Sequence, residues 1–216
     1  MSLLFFGKVN DPYCKKAVDF IGQNFNDFKV FLGKRGDNYP LHKGEWEGDY
    51  IISYLSPWII PEHTLKCAKR ASINFHPGPP EYPGIGCTNF ALYNGESTFG
   101  ITCHHMLPKV DTGQIIAVKR FKVFDSDSVY SLTQRCYAFI LTTFYEVVSN
   151  IISGEPIQLC GDTWKRKPYK RDELNALCKI TSDMTPEEVA RRVRAVTFPG
   201  APGAFTEVGG IKFIVP

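Results

Sequence analysis

The run Asp49-Tyr50-Ile51-Ile52-Ser53-Tyr54-Leu55, a polar connection with Pro61 to Arg70, and then Ala71-Ser72-Ile73-Asn74-Phe75 decide the fold. Each apolar run is short, continuous and rich in Ile and aromatic residues, which suits a strand covered on both faces rather than one with a wet side. The stretch between them, Pro61 to Arg70, has the composition and length of a connecting helix. Strand, helix and strand at that spacing make a parallel pair, because parallel neighbours need a crossover of about a dozen residues.

Working toward the N-terminus, Leu3 to Phe6 reads as another buried strand. Asn10 or Asp11 caps a helix reaching about Phe25, and Phe28 to Leu32 supplies a further strand. Toward the C-terminus, Ser97 to Met106 and Gln114 to Val123 read as strands, and Ser128 to Ile152 as a long helix with a wide apolar face. These elements predict an α/β fold: a Rossmann-like, mostly parallel sheet with helices on both faces. The main domain is expected over 1–160, and 161–216 is expected to hold a helix capped by Thr185 and a terminal β-hairpin over Ala201 to Val215.

The 216 residues, 44% hydrophobic and 22% charged, have the balance of one globular core. A net charge of +3 is too small to mark a nucleic-acid footprint, so no nucleic-acid partner is expected. Seven scattered cysteines read as reduced thiols. Met1 to Lys8 carries no basic leader, and no stretch reaches membrane-spanning length, so a cytoplasmic protein without a membrane partner is expected. In a strand His104 and His105 face opposite sides, and no second ligand pair accompanies Cys103, so no metal site is expected. The basic run Lys165 to Arg171 reads as a solvated face, and Gly84-Ile85-Gly86 lacks the spacing of a dinucleotide loop.

Open parallel sheets bind ligands beyond the carboxyl ends of their strands, which directs attention to Asn74-Phe75-His76-Pro77-Gly78. In an extended segment Asn74 and His76 point to the same side. An amide there can donate to a developing oxyanion, while an imidazole can take a proton near neutral pH. Asp111, in the turn-like Val110-Asp111-Thr112-Gly113, is the carboxylate expected to orient the histidine. Taken alone, the same residues also fit a capped loop and an ordinary Asx turn.

Three motifs carry a resemblance. Ser72-Ile73-Asn74-Phe75-His76-Pro77-Gly78-Pro79-Pro80-Glu81-Tyr82-Pro83-Gly84, Gly100 to Met106, and Asp111-Thr112-Gly113-Gln114-Ile115 stand in the order and spacing of the core of the folate-dependent formyltransferase family. That family includes methionyl-tRNA, glycinamide ribonucleotide and nucleotide-sugar formyltransferases. The resemblance implies catalysis by Asn74, His76 and Asp111, with 10-formyltetrahydrofolate as donor, its pterin lying against backbone around Tyr54, Leu55 and Ser56 and around Val110, Asp111 and Thr112. The Pro79 to Gly84 loop, the short C-terminal region and the Pro202 to Phe205 ending resemble the nucleotide-sugar branch, which implies a nucleotide-linked amino sugar as acceptor and a homodimer joined through the terminal hairpin. Lys8 is placed to meet a diphosphate, and Tyr82 to stack on a sugar or base. Two distributions of roles stand open. Either His76 is the base held by Asp111, or His76 faces the oxyanion and Asp111 relays the proton through water.

Overall fold

The computed structural model describes residues 1–215. Strand β1 (Ser2–Lys8) sends Leu3 and Phe5 into one apolar cluster and Leu4 and Phe6 into another, the period-two split of a strand covered on both faces. Helix α1 (Pro12–Asn24) follows, its first turn closed by Asp11 Oδ1, which accepts from the Tyr13 and Cys14 amides at 3.0 Å. Strands β2 (Asp27–Gly33) and β3 (Gly48–Tyr54), the single-turn helix α2 (Glu62–Leu65) and strand β4 (Ala68–His76) complete the parallel part.

Helix α3 (Cys87–Asn94) then precedes β5 (Thr98–His105), β6 (Ile115–Lys122) and α4 (Val129–Ile152), whose start is a reciprocal Ser128–Ser131 capping box. The sheet order is β2-β1-β3-β4-β5-β6. Pairs β1–β2, β1–β3 and β3–β4 are parallel, and β5 runs antiparallel to both of its neighbours. Helices α1, α3 and α4 supply the larger core on one face. The other face is covered by Leu41, Ile60 and partly buried Trp46, Trp58 and Leu65, drawn from two loops and α2.

The helix expected over Pro61 to Arg70 is shorter than its sequence suggests. The Gly48 amide bonds the Cys67 carbonyl at 3.1 Å and Ala68 pairs with Gly48, so the β3 ladder takes over the chain from residue 67. Local helix propensity there yields to interstrand hydrogen bonds. Helix α3 was not expected from the sequence and lies between Gly86 and Gly95, both left-handed, the second closing it as a C-terminal cap.

Beyond α4 the chain forms α5 (Arg171–Cys178), α6 (Pro186–Val196) and a hairpin of β7 (Ala204–Val208) and β8 (Ile211–Val215). The hairpin turns on Gly209-Gly210, both with positive φ, as a two-residue primed turn requires. Leu177, Ile180, Ala195, Val196 and Ala204 belong to the same cluster as β1 and α4. The C-terminal segment thus shares the main core. No helix among the described residues is long and apolar enough to cross a membrane.

Candidate active site

Strand β4 alternates Ile73 and Phe75 into the core with Asn74 and His76 on the opposite face. Its antiparallel neighbour places His104 directly across from Asn74, and cross-strand partners share a face. The Asn74 amide nitrogen lies 3.1 Å from His104 Nε2. A register shift between Cys103 and His104 in the β5–β6 pairing marks an irregularity at this point, of the kind that re-aims side chains beside active sites.

The turn after β5 returns Asp111 onto this face. Its Oδ2 is 3.2 Å from His76 Nδ1, and its Oδ1 is 3.2 Å from His104 Nε2. Oδ2 also accepts the Gly84 backbone N–H at 2.7 Å. His76, His104 and Asp111 are 3%, 2% and 5% exposed, so the charges act with little screening by solvent. Burial alone would raise the Asp111 pKa. The His76 charge, the His104 bond and the Gly84 amide outweigh it and hold the carboxyl at about 2.

Two backbone carbonyls define the imidazole tautomers. His76 Nε2 faces the Tyr82 oxygen at 2.8 Å and donates there, leaving Nδ1 as the nitrogen that gains or loses a proton beside Asp111. His104 Nδ1 donates to the His105 oxygen at 2.8 Å, and its Nε2, 3.2 Å from Asp111 Oδ1 and 3.1 Å from the Asn74 amide nitrogen, bonds Asp111 when it carries a proton and accepts from Asn74 when it does not. In either case the Asn74 amide keeps an N–H for a ligand.

Glycines make these approaches feasible. A Cβ on Gly78 would lie 2.8 Å from both His76 Nε2 and the Tyr82 oxygen, and one on Gly113 would overlap the His105 carbonyl. Asp111 (φ 47°) and Leu55 (φ 51°) are left-handed without being glycine, a cost that the surrounding structure must hold in place.

Asn74, His76, His104 and Asp111 line a cavity of about 330 Å³. Trp58, Ile60, Leu65 and Met106 give it apolar walls, a mixture suited to a flat heteroaromatic ring with a few polar edges. Leu55, Ser56 and Val110 also line it.

Tyr54, Thr112 and Tyr82 are not among the residues that line this cavity. The Tyr54 side chain is fully buried against Phe5, Phe75 and Phe144, because the alternation of β3 turns it inward, and its hydroxyl has no protein partner. Thr112 donates to the Lys109 carbonyl and lines a second cavity, of about 440 Å³, instead.

Tyr82, expected to stack on a sugar or base, is 4% exposed. Its ring is packed by Phe99 and Tyr169, and its hydroxyl is bound by Glu96 and Asn94. What it offers the site is its carbonyl. Lys8 stands beside the cavity, with Nζ 3.4 Å from Asp11 Oδ2 and 5.1 Å from the ring centre of Tyr137, a lining residue.

Sequence reasoning missed His104 as a member of this cluster, along with the Gly84 amide and Trp164, whose ring packs edgewise on both histidines. His104 stood in a quoted motif, and only the antiparallel direction of β5 reveals that it faces Asn74.

Comparisons with known proteins agree with the architecture. Residues 44–148 match the family described as Formyl transferase. The GDP-perosamine N-formyltransferase of Brucella melitensis biotype 1 is 31% identical over 173 residues, 79% of this chain and 65% of the relative, so the chain spans just under two thirds of that protein's length. The bifunctional polymyxin resistance protein ArnA of Wigglesworthia glossinidia brevipalpis is 29% identical over 98% of this chain and 31% of its own length. Among solved structures, a sugar N-formyltransferase from Shewanella sp FDAARGOS_354 superposes with a TM-score of 0.79 at 18% identity, covering 100% of this chain and 96% of that one. The N-formyltransferase from Helicobacter canadensis, solved in complex with folinic acid and dTDP-3-aminofucose, gives 0.73 at 18% identity, covering 97% and 85%. Over residues 44–148 the chain is similar to the formyl transferase family, and its fold is that of the sugar N-formyltransferases named above.

Proposed function

We propose that this protein transfers a formyl group from 10-formyltetrahydrofolate to the amine of a nucleotide-linked amino sugar. The observation that carries the reading is Asp111 held between His76 and His104, with Asn74 at their edge, in a cavity whose other walls include Trp58, Ile60, Leu65 and Met106. The folate carrier supplies the activated formyl group. The acceptor nitrogen bonds to the formyl carbon as the carbon–N10 bond breaks, and the amine proton leaves for the tetrahydrofolate nitrogen.

In this reading the free Asn74 N–H donates to the formyl oxygen as charge develops on it, an effect worth about a hundredfold or more in rate. His76 takes the amine proton and passes it to the departing tetrahydrofolate nitrogen, and Asp111, 3.2 Å from Nδ1, stabilises the imidazolium formed in between. His104 flanks the Asn74 amide nitrogen at 3.1 Å.

The acceptor class rests on sequence likeness. The Pro79 to Gly84 loop resembles the nucleotide-sugar branch, one relative described above is a GDP-perosamine N-formyltransferase, and one structural neighbour was solved with dTDP-3-aminofucose. A nucleoside diphosphate also needs cationic partners, and half-exposed Lys8 at the end of β1 is one. To test this, the protein is given formyl-folate with dTDP-, UDP- and GDP-linked amino sugars, methionyl-tRNA and glycinamide ribonucleotide, and tetrahydrofolate release is followed. The expected result is fastest turnover with a nucleotide-linked amino sugar. Faster formylation of methionyl-tRNA than of every sugar overturns the acceptor, and no release with any amine overturns the activity.

A further inference from the structure

The segment after α4 does more than connect. Cys160 N–H donates to the Ile115 carbonyl at 3.0 Å, Lys165 N–H to Pro80 at 3.0 Å and Tyr169 N–H to Pro83 at 2.9 Å, while Ile85 N–H donates back to Tyr169 at 3.2 Å. Residues 160–169 are therefore strapped across the same two segments that hold the candidate site, the loop after β4 and the start of β6. The side chains reinforce the strap. The Arg166 guanidinium lies 3.2 Å from the centre of the Tyr169 ring, which stacks on Phe90 at 3.8 Å.

At the middle of the strap, Trp164 Nε1–H donates to the Gly113 carbonyl at 2.8 Å. Pinned this way, its ring stands at 87° to His104 with centroids 5.0 Å apart, and at 73° to His76 at 5.8 Å. These are the two imidazoles that flank Asp111. On its other side Trp164 lines the second cavity, of about 440 Å³, together with Gln114, Asp162 and Thr163. The indole is thus the partition between a space large enough for several waters and the buried His76–Asp111–His104 group. We propose that Trp164 is a positioning residue of the formyl-transfer site: it presses both imidazoles toward Asp111 and closes that group off from the second cavity. The catalytic half of this inference rests on the formyl-transfer reading; the placement of the rings does not.

The argument from chemistry is that a proton-transfer group held to within a fraction of an ångström loses rate steeply when it is free to shift. Removing the indole frees two rings and admits water next to Asp111, where a higher local dielectric weakens the charge interaction. Substrate contact is not altered in this account, since Trp164 does not line the first cavity.

The test uses the full chain with Trp164→Ala and Trp164→Phe, the second keeping an aromatic wall. Trp164→Ala is expected to lower kcat by about tenfold or more, with KM for donor and acceptor changed by less than about threefold and the thermal midpoint nearly kept, while Trp164→Phe recovers most of the rate. Proton NMR of the histidine rings supplies a readout independent of turnover: the ring-current shifts of both His76 and His104 should vanish in Trp164→Ala and persist in Trp164→Phe. A folded Trp164→Ala with unchanged kcat overturns the inference, as does a loss that falls on KM alone, which would make Trp164 a substrate contact. If the wild-type protein formylates no amine, the activity is wrong, and unchanged histidine resonances in Trp164→Ala then overturn the placement separately.

Discussion

The Gly84 N–H donates to Asp111 Oδ2 at 2.7 Å, so one carboxylate joins the loop after β4 to the turn after β5. The same oxygen lies 3.2 Å from His76 Nδ1. Asp111 is therefore both a structural clasp and the charge around which the site is organised, and its protonation should be felt in both stability and activity.

The pH dependence follows from the depressed carboxyl. Its folded-state pKa of about 2 lies below the unfolded value of about 3.9, so the stabilisation is fully present above about pH 4 and is lost as pH falls through about 2. A shift of that size corresponds to a contribution on the order of 2 kcal/mol. Denaturant titrations at stepped pH should show Asp111→Asn less stable than wild type at neutral pH, with the gap closing toward pH 2. A gap that stays constant over this range would rule out the anionic clasp.

Replacing His76 or Asn74 by Ala should each lower turnover by about a hundredfold or more, since base and oxyanion contributions are of that order. Both side chains sit at the cavity floor, and folding should be largely kept. Tetrahydrofolate release by purified, folded variants measures the effect, and near wild-type rates in either would remove its assigned role.

Gly113→Ala should be among the most damaging single-methyl changes in the chain. The added Cβ would meet the His105 carbonyl, a backbone atom with no freedom to yield, and the turn carrying Asp111 would have to move away from β5. A loss of about 2 kcal/mol or more is expected, together with loss of activity. Thermal unfolding of Gly113→Ala beside Gly161→Ala checks this; at Gly161 a Cβ meets nothing, and neither glycine has a positive φ. Equal losses in the two variants would remove the clash with His105 as the cause.

The terminal hairpin exposes Val208, Ile211, Phe213 and Ile214, all more than half exposed. Val208, Ile211 and Phe213 share one face of the ribbon and Ile214 lies on the other, and apolar groups so exposed on a two-stranded ribbon are expected to be covered by a second copy. Light scattering at micromolar concentration should report twice the chain mass, and Phe213→Ser with Ile214→Ser should reduce it to the single chain. A wild-type monomer would leave the hairpin without its assigned partner.

Much of the architecture was legible because short apolar runs alternate with helical stretches from Leu3 to Phe75. Asn74 and His76 could be paired because β4 is extended, and Asp111, in a turn between two strands, joined them through the family resemblance. The direction of β5 was harder to read. Local pattern is the same for parallel and antiparallel strands: the Leu107 to Gln114 connection is too short for a crossover and sets β6 against β5, but the stretch from 77 to 97 between β4 and β5, which holds α3, is long enough for either direction. With that direction in hand, His104 falls opposite Asn74. Tyr82 misled for a different reason. An aromatic in a proline-rich loop looks available, and its burial depends on Phe99, Tyr169 and Glu96, from elements whose mutual approach no local pattern encodes.

The irregularity between Cys103 and His104 has a bearing on how this chain tolerates change. Neighbouring His104 and His105 occupy opposite sides of the sheet, so a one-residue slip of β5 would bring His105 opposite Asn74 while turning Phe99, Ile101 and Cys103 out of the core. Such a molecule would keep its mass and an imidazole beside Asn74 while losing the packing of β5. Insertions and deletions between Thr98 and His105 should accordingly be purged in natural variation even where the residues themselves are freely exchanged. The connection from Leu107 to Lys109 can vary in length, since Asp111 is held at its far end by Gly84 and two histidines.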